Sequence, residues 1–175
     1  MINKILAGVD EVGRGCLAGP VISCAVILRK SINKKFLKDS KTIPFKERIK
    51  IAEHIKKNSW YAIGSASVNE IDKYNIFNAT LLSMERAIKK LKKKPHLFLI
   101  DGTHAPKKLK NSKTIIRGDQ KIKCISAASI VAKAHRDLYM IKLGNKFPNS
   151  CKSGNDNSGR RLSSLSSKTW LFSVA

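Results

Sequence analysis

The twelve residues VDEVGRGCLAGP, at positions 9–20, decide how the rest of the chain is interpreted. The apolar run from Ile5 to Val9, which leads into this stretch, predicts a strand that carries two adjacent carboxylates, Asp10 and Glu11, near its end. Like charges side by side in or near a core are costly unless a cation or a proton relieves them. The glycines that follow predict a tight turn. The stretch therefore indicates a strand, a turn and a group that balances the two charges.

The composition is typical of one globular domain with a strongly basic surface. The chain has 175 residues, of which 42% are hydrophobic, and carries 35 Lys and Arg against 12 Asp and Glu, a net charge of +23. Such an excess indicates a polyanionic partner. Nucleic acid is favoured over a membrane surface because the lysines are spread along the chain instead of along one amphipathic helix. Part of the lysine excess also fits the compositional bias of an AT-rich genome.

Neither a membrane span nor a secretion signal is predicted. No run approaches 18 consecutive apolar residues, and the N-terminus lacks the basic and apolar regions of a signal peptide. The four cysteines show no CxxC spacing, which favours reduced and mostly buried thiols. We therefore expect a soluble, cytoplasmic protein. Separately, we expect it to act as a monomer.

Alternating strand and helix patterns predict an α/β domain around a central sheet. The first two strands, Ile5–Glu11 and Val21–Leu28, are predicted to form a hairpin around the glycine-rich turn. The remaining predicted elements are a helix over 44–58, a strand over 60–68, a helix over 75–93, strands over 97–100 and 114–117, and a helix over 125–143.

Four acidic residues fall at strand ends in this pattern. Asp10 and Glu11 belong to the first strand, and Asp101 and Asp119 end the strands over 97–100 and 114–117. Neighbouring strands would bring the four carboxylates together, a set that suits two hard cations, Mg²⁺ or Mn²⁺, about 3.5–4 Å apart. Such a pair activates water and stabilises the leaving oxygen in phosphodiester hydrolysis. For Asp101 or Asp119 taken alone, a cap or turn role is favoured instead.

Two other kinds of site are disfavoured. The sequence contains no GxxxxGK[ST] loop, which argues against a nucleotide hydrolase of the P-loop type. Its four histidines have no spacing typical of zinc ligands.

The ordered motifs of the chain resemble those of the ribonuclease HII family, the bacterial type 2 ribonuclease H. The resemblance covers about residues 6–147 and implies a ribonuclease H-like fold with a central mixed β-sheet flanked by helices. In chain order, the motifs that carry it are VDEVGRGCLAGPV, DSK at 39–41, NIFNATLLSMERA at 75–87, LIDG at 99–102, RGD at 117–119 and ISAASIVAKAHRD at 125–137.

The resemblance implies a metal-dependent endoribonuclease that uses Mg²⁺ or Mn²⁺. Its substrates would be RNA–DNA hybrid duplexes and ribonucleotide-containing DNA, cut 5′ to a ribonucleotide to leave a 3′-hydroxyl and a 5′-phosphate. The residues implied as catalytic, metal-binding acids are Asp10, Glu11, Asp101 and Asp119.

The resemblance also implies a substrate-reading loop. Gly13, Arg14 and Gly15 match the family segment that reads the ribose 2′-hydroxyl through backbone groups, and Lys41 matches a lysine near the phosphates. Glycines allow a close backbone approach, and the 2′-hydroxyl distinguishes RNA from DNA. Asp137 also matches a family position and is interpreted as a structural partner.

The last residues depart from the family pattern. All 20 isoleucines precede residue 150, and 8 of the last 26 residues are serine. No tyrosine follows Tyr139, whereas the family carries a lysine-glycine-tyrosine motif whose tyrosine stacks at the ribose of the cleaved junction. We expect a catalytic domain over 1–148 and a divergent, poorly ordered tail over 149–175, which an out-of-frame or degraded C-terminus explains. An ordinary serine-rich tail is the alternative.

The missing tyrosine leaves a second function open. The chain could be a basic protein that binds hybrids but turns over poorly because this stacking platform is absent.

Overall fold

A five-stranded mixed sheet forms the centre of the structure, a computed structural model that describes residues 4–29, 32, 37 and 43–147. The strand order is β3-β2-β1-β4-β5. Strands β1, β2 and β3 pair antiparallel, whereas β4 is parallel to both β1 and β5. The predicted α/β fold and its hairpin are confirmed. In chain order the elements are β1 (Leu6–Val12), β2 (Val21–Leu28), α1 (Phe45–Lys57), β3 (Ser59–Ala66), α2 (Val68–Lys90), β4 (Leu97–Asp101), β5 (Ser112–Ile115), α3 (Gly118–Lys121) and α4 (Lys123–Lys146).

Helices cover both faces of the sheet because successive strand residues alternate between two apolar cores. On one face, Val26 of β2 packs in the same core as Ile55 of α1 and Ile130 of α4. On the other face, Val9 of β1 packs in a core with Met84 of α2. As a result, α4 and α2 flank the acidic end of β1 from opposite sides.

Helix α2 begins earlier than the sequence pattern predicted, and the strand before it ends at Ala66. The Ser67 hydroxyl accepts a hydrogen bond from the Glu70 N–H (3.3 Å), and Glu70 Oε2 accepts one from the Ser67 N–H (2.9 Å). This capping box starts a helical segment that the prediction missed. The predicted start is the second half of α2, which follows a kink at Asn75 (φ 65°). There, Asn75 Oδ1 accepts a hydrogen bond from the Asn78 N–H (3.0 Å).

The prediction for the last strand was wrong in its bounds. Strand β5 covers Ser112–Ile115, and Asp119 lies in the one-turn helix α3 instead of at the strand's end. The ladder between β4 and β5 ends at the pair Asp101–Ile115, because β4 itself ends there. The chain then turns through Arg117, which has a positive φ of 54°.

Some predictions concern residues that the structure does not describe. Lys41 and the tail over 149–175 lie outside the described residues. In the described part of the chain, no helix is both long and apolar enough to cross a membrane. Of the three cysteines described, all free, Cys24 and Cys124 are buried as predicted, whereas Cys16 is exposed.

Candidate active site

The pairing of β1 with β4 brings two of the predicted acids to one end of the sheet. Val9 pairs with Ile100 in parallel register, and these residues immediately precede Asp10 and Asp101. The two carboxylates therefore start from neighbouring positions on adjacent strands. Asp10 is buried, with 5% of its surface exposed.

A hydrogen bond from α3 attaches Asp119 to the same end of the sheet. Asp101 Oδ1 accepts a bond of 2.6 Å from the Gly118 N–H, the first residue of α3. Asp119 follows directly and is 7% exposed, and its Oδ1 accepts a bond of 3.0 Å from the Gln120 N–H. The structure thus brings Asp119 near the other acids, although by a helical turn instead of the predicted strand end.

The carboxylates are close enough to perturb one another. Burial and then the charge of Glu11 raise the pKa of Asp10 well above its usual range, and Asp101 adds to the rise. Burial and then the charge of Asp101 raise the pKa of Glu11, with a smaller contribution from Asp119 in the same direction. The positive charge of Arg14 opposes this rise. The four acids therefore form one electrostatic unit whose negative charges are unfavourable without a compensating cation.

Adjacent positions on a strand point to opposite faces, which separates Asp10 from Glu11. Asp10 is hydrogen-bonded to the side chain of Ser129 on α4. Glu11 lines a small cleft on the other side, together with Phe77 and Thr80 of α2. The two neighbouring charges consequently face different helices.

The oxygen donors of this site fit hard divalent cations. Glu11 Oε2 is a buried carboxylate oxygen with no hydrogen-bond partner among the described residues, and leaving such an oxygen unsatisfied costs about 1–3 kcal/mol or more. Within the described ranges, no three His, Cys, Asp or Glu side chains are gathered tightly enough to hold a metal ion as they stand. Since like charges repel, a cation would have to draw these carboxylates together.

The glycine-rich loop adjoins the acidic end of β1. Gly13 has a φ of +99°, and its carbonyl accepts a hydrogen bond of 3.2 Å from the Cys16 N–H, which closes a turn. Arg14 Nη1 lies 3.8 Å from Glu11 Oε1. Gly15 faces open space, because a Cβ built on it would have no neighbour within 4 Å. The predicted reading loop and the predicted acids are therefore neighbours, with Gly15 accessible from outside.

Sequence reasoning missed several side chains around this site. Phe77 and His104 line the cleft and meet edge to face, with ring centroids 4.9 Å apart. The Arg14 guanidinium carbon lies 5.8 Å from the centroid of Phe77. Ser129 of α4 is hydrogen-bonded to Asp10, a contact that no predicted motif indicated. The one available signal was a hydroxyl at a buried helical position, where hydroxyl groups need a partner.

Asp137 lies in an ion pair with α1. Arg48 Nη2 donates a hydrogen bond of 2.8 Å to Asp137 Oδ2, and the same arginine donates through Nη1 to the carbonyl of Ile43 (2.8 Å). This contact joins α4 to the start of α1, in agreement with the interpretation of Asp137 as a structural partner.

Comparison with known proteins gives consistent matches. A family model described as Ribonuclease HII matches residues 7–168. The chain is 60% identical over 148 residues to the ribonuclease HII of Pelagibacter ubique (strain HTCC1062), covering 83% of this chain and 79% of that protein. It is 48% identical over 147 residues to the ribonuclease HII of Coxiella burnetii (strain RSA 493 / Nine Mile phase I), covering 83% and 73%.

Solved structures confirm the predicted ribonuclease H-like fold. The ribonuclease H2 from Pyrococcus horikoshii OT3 superposes with a TM-score of 0.73 at 25% identity, covering 88% of this chain and 82% of that one. Bst-RNase HIII in complex with Mn²⁺ superposes with a TM-score of 0.67 at 16% identity, covering 82% and 55%. The second likeness is one of fold alone.

Proposed function

The chain belongs to the ribonuclease HII family of metal-dependent endoribonucleases, and on this premise we propose how its own residues perform the reaction. Asp10, Glu11, Asp101 and Asp119 bind two divalent cations, Mg²⁺ or Mn²⁺. The observation that carries this proposal is geometric: the parallel register of β1 and β4 sets Asp10 beside Asp101, and the bond from the Gly118 N–H to Asp101 Oδ1 holds the start of α3, with Asp119, at the same end of the sheet. The raised pKa values of Asp10 and Glu11 support it. When bound, the cations supply an activated water and stabilise the leaving oxygen.

The orphaned oxygen of Glu11 gives a second argument for this ligand set. Glu11 Oε2 is buried. Arg14, which is half-exposed, lies 3.8 Å from the other oxygen, Oε1, and this is a long distance for an ion pair. A salt bridge of that length and exposure contributes little to the free energy of folding. A cation at this oxygen would satisfy the carboxylate, whereas Arg14 is free to turn toward a phosphate.

We further propose that the loop of Gly13, Arg14 and Gly15 recognises the ribonucleotide. The open space at Gly15 allows a sugar to approach the backbone, and backbone groups can hydrogen-bond a 2′-hydroxyl that DNA lacks. The loop follows the acids by two residues, so a ribose held there would place its 5′ phosphate near the carboxylates. In the cleavage step, a water oxygen bonds to that phosphorus and gives up a proton, while the bond from the phosphorus to the 3′ oxygen of the preceding nucleotide breaks and that oxygen takes up a proton. The products are a 3′-hydroxyl and a 5′-phosphate.

The net charge of +23 provides the affinity for the duplex backbone. Lysine and arginine contacts to phosphates hold the duplex without regard to sequence. We assign one such contact to Lys41. RNA–DNA hybrids and DNA that contains single ribonucleotides are therefore the proposed substrates.

One feature of the sequence favours slow turnover. No tyrosine follows Tyr139, so the stacking platform of the family pattern has no counterpart there. Stacking of this kind contributes about 1–3 kcal/mol in other nucleic-acid binders. Loss of that amount in the transition state corresponds to roughly 5- to 150-fold slower turnover. The second candidate, a hybrid-binding protein with impaired turnover, is the limiting case of this loss.

A cleavage assay tests the proposal. The substrate is an end-labelled DNA duplex with one ribonucleotide, and the control is the same duplex with only deoxyribonucleotides. We expect a single cut 5′ to the ribonucleotide in Mg²⁺ or Mn²⁺, no cut in EDTA and none in the control. Binding of the duplex without any cut in either metal would overturn the proposed cleavage and support the hybrid-binding alternative.

A further inference from the structure

A buried arginine on α4 contacts the loop between β1 and β2. Arg136 is 8% exposed. Its Nη2 donates a hydrogen bond of 2.6 Å to the carbonyl of Ala18, and its Nε donates one of 3.2 Å to the carbonyl of Pro20. A guanidinium carries its donors in a rigid planar fork, so one side chain fixes two carbonyls relative to each other.

The same arginine lies directly against the backbone at two glycines. Gly13 and Gly19 both have a positive φ, of 99° and 87°. A Cβ on Gly13 would lie 2.7 Å from Arg136 Nε, and one on Gly19 would lie 3.3 Å from Nη2 and 2.6 Å from Met140 Sδ. The loop backbone is therefore packed onto the guanidinium in a conformation that other residues adopt only with strain.

We propose that Arg136 is a positioning residue that holds the Gly13–Gly15 loop in place to read the ribose. This inference rests on the role proposed for the loop. Arg136 contacts the loop from the side of α4, whereas Gly15 faces open space, so Arg136 acts through the loop and not on the substrate. Without the guanidinium of Arg136, the carbonyls of Ala18 and Pro20 lose these hydrogen bonds. A displacement of about 1 Å in a substrate-positioning group can cost on the order of 100-fold in rate.

Arg48 provides a matched control. It is also 8% exposed, and it also donates to a backbone carbonyl, that of Ile43. It also donates a hydrogen bond to Asp137, the residue after Arg136. The two arginines thus share burial and bonding to backbone carbonyls, and Arg136 is the one that donates to Ala18 and Pro20 of the loop between β1 and β2.

The first test compares R136M, R136K and R48M on two substrates. We expect R136M to lower kcat/KM on DNA with one ribonucleotide by roughly 10- to 100-fold. The loss of kcat/KM on a uniform RNA–DNA hybrid should be smaller, because its RNA strand has a 2′-hydroxyl at every nucleotide and a displaced loop can still contact one of them. The kcat/KM of R136K on DNA with one ribonucleotide should stay well below that of the wild type, since one ammonium group cannot replace the planar set of guanidinium donors. R48M should lower the melting temperature and leave the ratio of the two kcat/KM values unchanged.

An equal change of that ratio in R136M and R48M would overturn the inference. Full recovery by R136K would also overturn it, since charge alone would then suffice.

A second test does not depend on cleavage. Cys16 is exposed in the loop, whereas Cys24 and Cys124 are buried, so a spin label in a Cys151→Ser background should react at Cys16. We expect R136M to make the label more mobile and R48M to leave its mobility unchanged. An unchanged label in R136M would refute the positioning role. If the wild-type chain cuts neither substrate, the proposed function fails, and the label still decides the role of Arg136.

Discussion

Alanine at Gly13 and alanine at Gly15 are expected to have very different costs, although the two positions are two residues apart. Gly13 has a φ of +99°, and a side chain held in such a conformation costs about 1–3 kcal/mol. The new Cβ would also lie 2.7 Å from the carbonyl oxygen of Pro20, a backbone atom, and 2.7 Å from Arg136 Nε. Overpacking of this kind adds about 1–3 kcal/mol. The Gly13→Ala variant should therefore lose about 2–6 kcal/mol of unfolding free energy.

Gly15→Ala has neither penalty. Its Cβ would meet nothing within 4 Å, and Gly15 is not among the glycines with a positive φ. Its unfolding free energy should stay within about 1 kcal/mol of the wild type, with a small gain from the less flexible unfolded chain. The methyl group would nonetheless enter the space proposed for the ribose. Gly15→Ala should thus be stable but slow on DNA with one ribonucleotide.

Urea unfolding in EDTA, followed by circular dichroism, measures both variants without metal or nucleic acid. The midpoint of Gly13→Ala should fall clearly below that of Gly15→Ala. Equal midpoints would refute the geometry of the loop, and full cleavage by Gly15→Ala would refute its proposed contact with the sugar.

Three further variants test the electrostatics of the chain. Asp10→Asn should raise the urea midpoint in EDTA at neutral pH because it removes a buried charge beside Glu11; a lower midpoint would contradict this. Hydrogen bonds from Arg86, and then from the Ser67 backbone, lower the pKa of Glu70 from 4.5 to about 2. The stability that they provide is present above about pH 4.5 and is lost as the pH falls toward 2; Glu70→Gln should therefore show a shallower loss of melting temperature in this window, and an unchanged slope would count against the pair. Lys41→Ala should weaken binding to all duplexes about equally and reduce the salt slope by about 1; a loss confined to ribonucleotide-containing duplexes would instead place Lys41 at the ribose.

The convergence of Asp10 and Asp101 at one end of the sheet could be predicted from the sequence, whereas the path that brings Asp119 there could not. Asp10 and Asp101 could be placed because each follows a run of apolar strand residues, and parallel pairing puts the residues after Val9 and Ile100 side by side. Asp119 was expected at a strand end, but its position depends on a hydrogen bond from Gly118 to Asp101 across the chain. No local pattern encodes that contact.

The role of Arg136 illustrates why the remaining features were missed. In the sequence it is one basic residue in a helix of a very basic chain, where exposure to solvent is the usual expectation. Its burial depends on carbonyls 118 and 116 residues earlier in the chain. The early start of α2, by contrast, could have been predicted from the sequence, because Ser67 and Glu70 have the local spacing of a capping box.

We propose that Asp10 and Glu11, together with Asp101 and Asp119, carry out metal-dependent cleavage at a ribonucleotide. The most direct measurement compares Asp10→Asn with Asp72→Asn, an exposed carboxylate of α2, on a DNA duplex with one ribonucleotide. Cleavage in Mg²⁺ and in Mn²⁺ is measured beside duplex affinity. We predict that Asp10→Asn abolishes the cut and binds the duplex as tightly as the wild type, while Asp72→Asn cuts at the wild-type rate. Retention of most of the activity by Asp10→Asn would contradict the proposed role of Asp10 in cleavage.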